Sequence, residues 1–421
     1  MRVALAIVLN GVVLLVLGRW LRRQSQAPEV GPLALPLLAL QLGAGVLSVG
    51  LLSEDSKLFL HWGRLLTEQF WVSPTHWVQT LWGDTFHHAG NHLVYHGFSN
   101  TFFLMKLVSA LNLASLGNTL LNALYMSAFK FVGGWQLVRS IRRAFPATPA
   151  LAGVAALFGW PTVLYWTAGV TKECILVGSL AWLTALVIDW LYGGQRLRIG
   201  PAIGGLFLLV VGFKMRFFFA VLLFAGLLAL AVIRLVQRLG WGCQRWMQVL
   251  VLVLVLAGGG AILSEVSTVF RLNRFTNQLI YNYHELLRVS HDRPHIEFDH
   301  LAPTLESILY NAPKAVGSAL FRPFPWERGK ASYVVAGLEN MLLLGLIGVA
   351  LLAAIRGRNG QLPFALVLAL LFYCLALAVL LGLSTPNLGT LNRYRAALLP
   401  FLLLLLLQND YLARLLKRGN N

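Results

Sequence analysis

The chain is short of charge, and the charge it has is lopsided: 16 Asp and Glu stand against 34 Lys and Arg in 421 residues, and charged residues are only 12% of the whole. With 57% of residues hydrophobic, too little polar surface remains to cover a water-soluble globule, and that class is excluded. Cysteine is scarce, three in all. Cys174, Cys243 and Cys374 fall at helix ends or inside apolar runs, so neither a disulfide framework nor redox chemistry finds support. Repeats of fixed period, low-complexity linkers and a His-Glu-x-x-His pattern are all lacking, which argues against solenoids, tethered domains and a zincin-type metal site.

Long apolar runs, in contrast, are plentiful. A hydrocarbon core about 30 Å thick takes about 20 apolar residues per helix, and runs of that kind lie near 3–20, 32–53, 116–138, 149–168, 174–193, 200–213, 217–236, 246–265, 333–355, 362–383 and 395–408. The fold class expected is all-α: a polytopic transmembrane helical bundle of about 11 spans, within a range of about 10 to 13, with two large extracytoplasmic loops containing short helices. The run 200–213 is short enough for a re-entrant half-helix, and the stretch Phe102 to Leu111 reads either as an interfacial helix or as the start of a long third span. The first run lacks a basic region richer than Arg2 and a small-residue cleavage site, so it reads as a retained helix entering from outside.

The formal charge of +18 is spread over short clusters between apolar runs, which excludes a contiguous nucleic-acid-binding face. Arg19 to Arg23, Arg139 to Arg143, Gln195 to Arg198, Arg234 to Arg245, Arg356 to Arg358 and Arg414 to Arg418 recur at every second inter-helix position. The positive-inside rule makes those ends cytoplasmic. Residues 54–115, 169–173, 214–216, 266–332 and 384–394 then lie outside. A single integral membrane domain over 1–421 is expected, with a first extracytoplasmic region at 54–115 and a second at 266–332.

The outer segments carry the chemistry. Glu54 and Asp55 open the first loop directly after the second span, where a carboxylate can act as a general base toward an acceptor hydroxyl or ligate a metal. The alternative is that the pair caps the next helix and favours its dipole. All ten histidines fall in the two long outer loops. His88, His92 and His96 are spaced i, i+4, i+8, which on a helix would align three imidazoles. Gly90 and Gly97 weaken that helix, and surface histidines are the default, so no metal site is assigned. Trp62, Trp71, Trp77 and Trp82 suit an interfacial belt, or in a groove would stack on sugar faces.

Charge near the outer ends of spans is more pointed. Lys172-Glu173 begins an otherwise apolar run, an expensive placement unless the pair is used or snorkels. Lys172 suits a phosphate, with Glu173 orienting it or favouring the helix N-terminus. Lys214 and Arg216 sit between apolar runs on the side that the positive-inside rule disfavours, as do Arg393 and Arg395; Arg322 joins them from the Leu320 to Glu327 segment. A cation pair of this kind fits a phosphate or pyrophosphate head group, and snorkelling to lipid phosphate is the alternative. Glu339, followed by Asn340, supplies an acid inside a span that can pair with one of these arginines. Convergence of the cations on one cavity open to the outer leaflet is the expectation.

The acidic pair, Trp166 with Lys172-Glu173 after a proline-bearing run, Leu320-Phe321-Arg322-Pro323-Phe324-Pro325-Trp326-Glu327, and Thr385-Pro386-Asn387-x-Gly389-Thr390-Leu391-x-Arg393-Tyr394-Arg395 together resemble bacterial membrane proteins of polysaccharide loci. Their architecture is similar to the GT-C superfamily of polyprenyl-phosphate-dependent glycosyltransferases and to polysaccharide polymerases. The resemblance covers most of the chain as an order of spans and loops. It departs in having an extra helix before the acidic loop and no Asp-x-Asp. It implies catalysis by Asp55 or Glu54, with Lys172, Glu173, Lys214, Arg216, Arg322, Arg393 and Arg395 as phosphate and substrate ligands by their position here. It also implies a lipid-linked sugar donor, a glycan or lipid acceptor, membrane lipids and polysaccharide-assembly proteins as partners, no nucleic acid, and the bacterial inner membrane with an outward-facing site. No cofactor is required by these residues, a divalent cation being the one candidate. A repeat-unit polymerase and a transporter or flippase for a lipid-linked anion are the rival functions.

Overall fold

The computed structural model describes residues 1–27, 29–95, 97, 99–194, 198–242, 244–266, 271–290, 293–327 and 331–418. His96, Cys243 and Gln195-Arg196-Leu197 of one basic cluster lie outside the described residues. In chain order the elements are α1 (Arg2–Ser25), α2 (Ala34–Gly50), α3 (Glu54–Val72), α4 (Pro74–Trp82), strands β1 (Thr85–His88) and β2 (Asn91–Val94), α5 (Asn100–Ser115), α6 (Thr119–Ala144), α7 (Ala150–Val154), α8 (Pro161–Trp166), α9 (Lys172–Leu191) and α10 (Ile199–Met215). There follow α11 (Phe217–Arg238), α12 (Arg245–Val266), α13 (Leu272–Arg288), α14 (Leu305–Phe321), α15 (Ala331–Ile355), α16 (Phe364–Ser384), α17 (Leu388–Tyr394), α18 (Leu399–Leu407) and α19 (Asp410–Arg418).

Seven helices among the described residues are long and apolar enough to cross a membrane, or up to nine when each of two bent pairs counts as one span. Leu14 and Leu15 of α1, Leu254 of α12 and Leu338 and Leu342 of α15 are exposed. In water such surface would drive aggregation; against lipid it is the ordinary face of a span. The chain is a helical, multi-pass membrane protein.

The departures from the apolar-run reading have local causes. Run 149–168 is no straight helix: α7 passes into a π-helical turn at Ala155–Gly159, Trp160 is extended, and α8 restarts at Pro161, as expected where proline forces its predecessor out of the helical region. α5 and α6 meet at 112°, because Leu116 and Gly117 take positive φ of 53° and 76°. α17 and the 3-10 turn Arg395–Ala397 meet α18 at 62°, just before Pro400. α10 has 17 residues, about 25 Å of rise. His88 and His92 do not share a helix: they flank the turn of a β-hairpin, with Ala89 and Gly90 at positive φ, and the cross-strand partners are His87 with His92 and His88 with Asn91. The helical alignment of His88 and His92 is therefore excluded by a two-residue turn that glycine favours.

Two compact units are assembled from discontinuous stretches. Unit 1 comprises Met1–Leu137, Leu164–Leu183 and Arg198–Phe218. In it α6 and α9 cross closely: a Cβ at Gly133 would lie 2.1 Å from the Gly178 carbonyl oxygen, so only glycine permits that approach. A buried polar cluster joins α3, α4, α5 and α6. Trp77 Nε1 donates to Ser109 Oγ at 2.9 Å, Asn112 Nδ2 to Thr67 Oγ1 at 3.1 Å, and Asn122 Nδ2 to Asn112 Oδ1 at 2.7 Å. α1 is tied in by Asn10, which donates to the Ala114 carbonyl at 2.8 Å and accepts from the Tyr125 hydroxyl at 2.5 Å.

Unit 2 comprises Val138–Val163, Thr184–Leu197 and Phe219–Asn421. α16 is its central helix. A Cβ on Gly382 would stand 2.3 Å from the Ala315 carbonyl oxygen of α14, and one on Gly226 of α11 would stand 2.9 Å from that of Ala369. Leu279 and Ile280 of the amphipathic α13 pack with Ala315 and Leu383. The Tyr283 hydroxyl donates to the Ile296 carbonyl at 3.1 Å, and burial pushes that phenol above its usual range, which keeps the donor protonated. At other helix ends Arg143 pairs with Asp189 at 3.0 Å, and Arg234 stands 4.4 Å from the Tyr192 ring centroid.

Candidate functional site

In unit 1 the segment Trp166 to Lys172 is a turn whose backbone is held by side chains from other helices. Gln41 of α2 donates through Nε2 to the Thr167 carbonyl at 3.0 Å, and its Oε1 accepts from Lys130 of α6 at 2.7 Å. The two bonds fix which way the Gln41 amide points. Ser127 Oγ accepts from the Gly169 N–H at 2.9 Å, and Ser56 of α3 donates to the Val170 carbonyl at 2.9 Å. Gly169 has φ +71°, and a Cβ there would lie 1.9 Å from Ser48 Oγ, so conformation and space both demand glycine. Thr171 caps α9, accepting from Cys174 N at 3.1 Å.

This preorganised turn delivers two charged side chains. Lys172 is 9% exposed, with Nζ 2.7 Å from Asn100 Oδ1 and 2.8 Å from Thr101 Oγ1, and it stands 5.1 Å from the Phe59 ring centroid. Glu173 is 1% exposed and receives Arg216 Nη2 at 2.8 Å. Arg216 is the residue at which α10 ends, and the half-buried Lys214 lies in its last turn. The structure thus brings together Lys172, Glu173, Lys214 and Arg216. Three cations stand beside one buried carboxylate, in a medium of low dielectric where charges act on one another strongly.

Glu54 and Asp55 occupy the first turn of α3, behind the N-cap Ser53, which accepts from Ser56 N at 3.2 Å. Both are exposed, and Glu54 pairs with Lys57 at 2.7 Å. Their helix is joined to the turn through Ser56 and Val170, so the acids lie on the rim of the same unit-1 cluster. Trp77 is buried and Trp82 is exposed, while Arg2 stands 5.2 Å from the Trp71 ring centroid. Among the described residues no group of three or more His, Cys, Asp or Glu is placed to hold a metal ion.

The remaining predicted residues gather in unit 2. Arg322 pairs with Glu327, Nε to Oε1 at 2.8 Å and Nη2 to Oε2 at 3.1 Å, and donates to the His295 carbonyl at 3.0 Å. Arg395 is 1% exposed; Nη1 donates to the carbonyls of Arg322 at 3.2 Å and Leu320 at 3.5 Å, and Nη2 donates to Asn392 Oδ1. It therefore holds the chain as it leaves α14, satisfying carbonyls that a helix end leaves over. Arg393 is half-buried. Glu339 Oε2 accepts from Thr162 N, at the start of α8, at 3.2 Å, and its charge reaches Arg395.

No protein-family model, curated protein or solved structure matches this chain. Sequence reasoning passed over Asn100, Thr101, Gln41 and Ser127, neutral groups with no pattern to mark them. It also passed over Lys106 and Lys130, for which a signal existed: each is a lone cation inside an apolar run.

Proposed function

We propose that this chain is a membrane glycosyltransferase of GT-C type, moving a sugar from a polyprenyl-phosphate-linked donor to a glycan or lipid acceptor. It works at the extracytoplasmic face of the bacterial inner membrane, in polysaccharide or cell-envelope assembly. The observation that carries this reading is the cluster of buried Lys172 and Glu173 with the half-buried Arg216, and exposed carboxylates on the adjoining rim. The acceptor oxygen bonds to the anomeric carbon as the bond from that carbon to the phosphate oxygen breaks. The acceptor proton passes to Asp55 or Glu54, and the bonding pair leaves with the phosphate. Lys172, Arg216 and Lys214 stabilise the charge that grows there. Glu173 holds the Arg216 fork in place. The outward orientation is supported by the basic clusters at alternate inter-helix positions.

The test is complementation of a deletion host with Asp55→Asn, Glu54→Gln, Lys172→Ala and Lys214→Ala, at matched membrane levels. Loss of glycan product with accumulation of the lipid-linked donor in the outer leaflet is the expected result. Undiminished product in all four variants would refute the site, and intermediates trapped in the inner leaflet would assign a flippase instead.

A further inference from the structure

The β-hairpin of unit 1 carries two imidazoles that have no part in that scheme, His87 of β1 and His92 of β2, paired directly across the ladder. Hydrogen-bonded and open pairs alternate along antiparallel strands. Tyr95 N donates to the Asp84 carbonyl at 2.9 Å, so counting inwards Phe86 with Leu93 is the next hydrogen-bonded pair and His87 with His92 is an open one. Open pairs are those whose side chains stand closest. The two rings stack, with centroids 4.0 Å apart and 23° between their planes. The His87 carbonyl, turned away from β2, accepts from Gln69 Nε2 at 3.3 Å.

Strand alternation decides which histidines meet. Phe86 is fully buried, edge-on to Trp62 of α3 at 6.2 Å, and anchors the inner face of the hairpin; His87 and His92 are exposed on the other. His88 belongs to the inner face, half-buried with its ring 6.4 Å from that of Phe86. The base of the hairpin is held by Lys106 of α5, which donates to the Gly83 carbonyl. Among the described residues the ring nitrogens of His87 and His92 have no hydrogen-bond partner.

We propose that His87 and His92 form a two-imidazole site for a transition-metal dication of the Cu²⁺, Zn²⁺ and Ni²⁺ class. Neutral imidazole suits these ions, whereas Mg²⁺ and Ca²⁺ take oxygen ligands. Two nitrogens on one tetrahedral ion, each at about 2.0–2.1 Å, stand about 3.3 Å apart. Rings already 4.0 Å apart reach that separation by tilting about exposed side-chain bonds, with the backbone left where it is. The second imidazole therefore binds as an intramolecular ligand, which is what makes a pair tighter than one histidine. The remaining coordination positions face solvent and take water. This site is independent of the phosphate-site reading.

The experiment titrates the untagged full chain in nanodiscs with Zn²⁺ by calorimetry at neutral pH, and reads Cu²⁺ bound at equal molarity by electron paramagnetic resonance. Wild type should bind Zn²⁺ about a hundredfold more tightly than the double variant His87→Gln with His92→Gln, the low end of what linking two ligands adds. Each single variant should bind as weakly as the double one, because one imidazole cannot chelate. His88→Gln should stay within about twofold of wild type, and excess Mg²⁺ should not compete. The Cu²⁺ spectrum should show two imidazole nitrogens in wild type. Wild type binding no more tightly than the double variant, or His88→Gln weakening Zn²⁺ as much as His87→Gln does, overturns the proposal. The nitrogen count needs no substitution, so fewer than two imidazoles on wild-type Cu²⁺ overturns it even where a variant fails to fold.

Discussion

Removing the charge of Glu173 is the sharpest perturbation of this protein. Its carboxylate is 1% exposed, and the Arg216 side chain that it receives is 14% exposed, with 2.8 Å between Oε1 and Nη2. At an effective dielectric of about 20, unit charges about 4 Å apart attract by about 4 kcal/mol. Breaking a buried pair costs about 3–5 kcal/mol, because the surviving charge stays desolvated. Glu173→Gln keeps the shape and one acceptor oxygen, so a loss near the low end, about 3 kcal/mol, is expected. Arg216→Met should cost a similar amount. The double variant removes both charges together and should cost about 3 kcal/mol rather than about 6, a coupling of about 3 kcal/mol. Denaturation in mixed micelles of increasing SDS fraction, followed by tryptophan fluorescence, measures all four proteins. Additive losses would show that the two side chains do not depend on each other, and the account of the site as a preorganised cation cluster around Glu173 would fall.

Gly169→Ala must adopt φ +71° and meet Ser48 Oγ; a loss of about 2 kcal/mol is expected in the same assay, and a neutral substitution would contradict the close-packed turn. Lys130→Met leaves Gln41 Oε1 without its donor at 2.7 Å, a loss of about 1–3 kcal/mol. Adding Gln41→Leu removes the orphaned acceptor but also the donor to the Thr167 carbonyl, so the double variant should lose less than the two single losses added together; strictly additive losses would argue against the Lys130–Gln41 bond. Glu54→Gln removes an exposed pair with Lys57, both side chains being more than half exposed, and stability should change by less than about 0.5 kcal/mol; lost glycan product in that variant then reports on chemistry, whereas lost membrane protein would contradict the pair's surface placement. Arg395→Met takes the donors away from the Leu320 and Arg322 carbonyls, and limited proteolysis should cut faster between residues 293 and 327. An unchanged digestion pattern would show that the chain beyond α14 is held by other contacts.

Much of the helical architecture can be read without a structure, because the bilayer imposes a length and a polarity on any span. The runs at 3–20, 217–236, 246–265, 333–355 and 362–383 are each a single helix in the structure. What failed was continuity where backbone geometry overrules hydropathy, at Pro161 and before Pro400; at Leu116 and Gly117 the chain turns, which puts Phe102 to Leu111 in a helix separate from α6. The histidine spacing at 88 and 92 misled for the opposite reason, since a helical period means nothing across a hairpin turn. Among the charged residues, Lys172, Glu173, Lys214 and Arg216 stood out as cations and an acid placed where an apolar run makes charge costly. That Glu173 serves Arg216 could not be read, because the partners lie 43 residues apart.

The sequence by itself determined that this protein belongs in a membrane, which segments are apolar enough to cross it, and which charges are too expensive to be incidental. Those are properties of composition and local order, fixed by the cost of polar groups in hydrocarbon. Only the tertiary structure decided which charges meet. Gln41, Ser56 and Ser127 shape one turn from three helices, Asn100 and Thr101 receive Lys172, and Arg395 is buried against the carbonyls of Leu320 and Arg322. A hydrogen bond depends on a few tenths of an ångström between residues distant in the chain, and packing alone sets that distance.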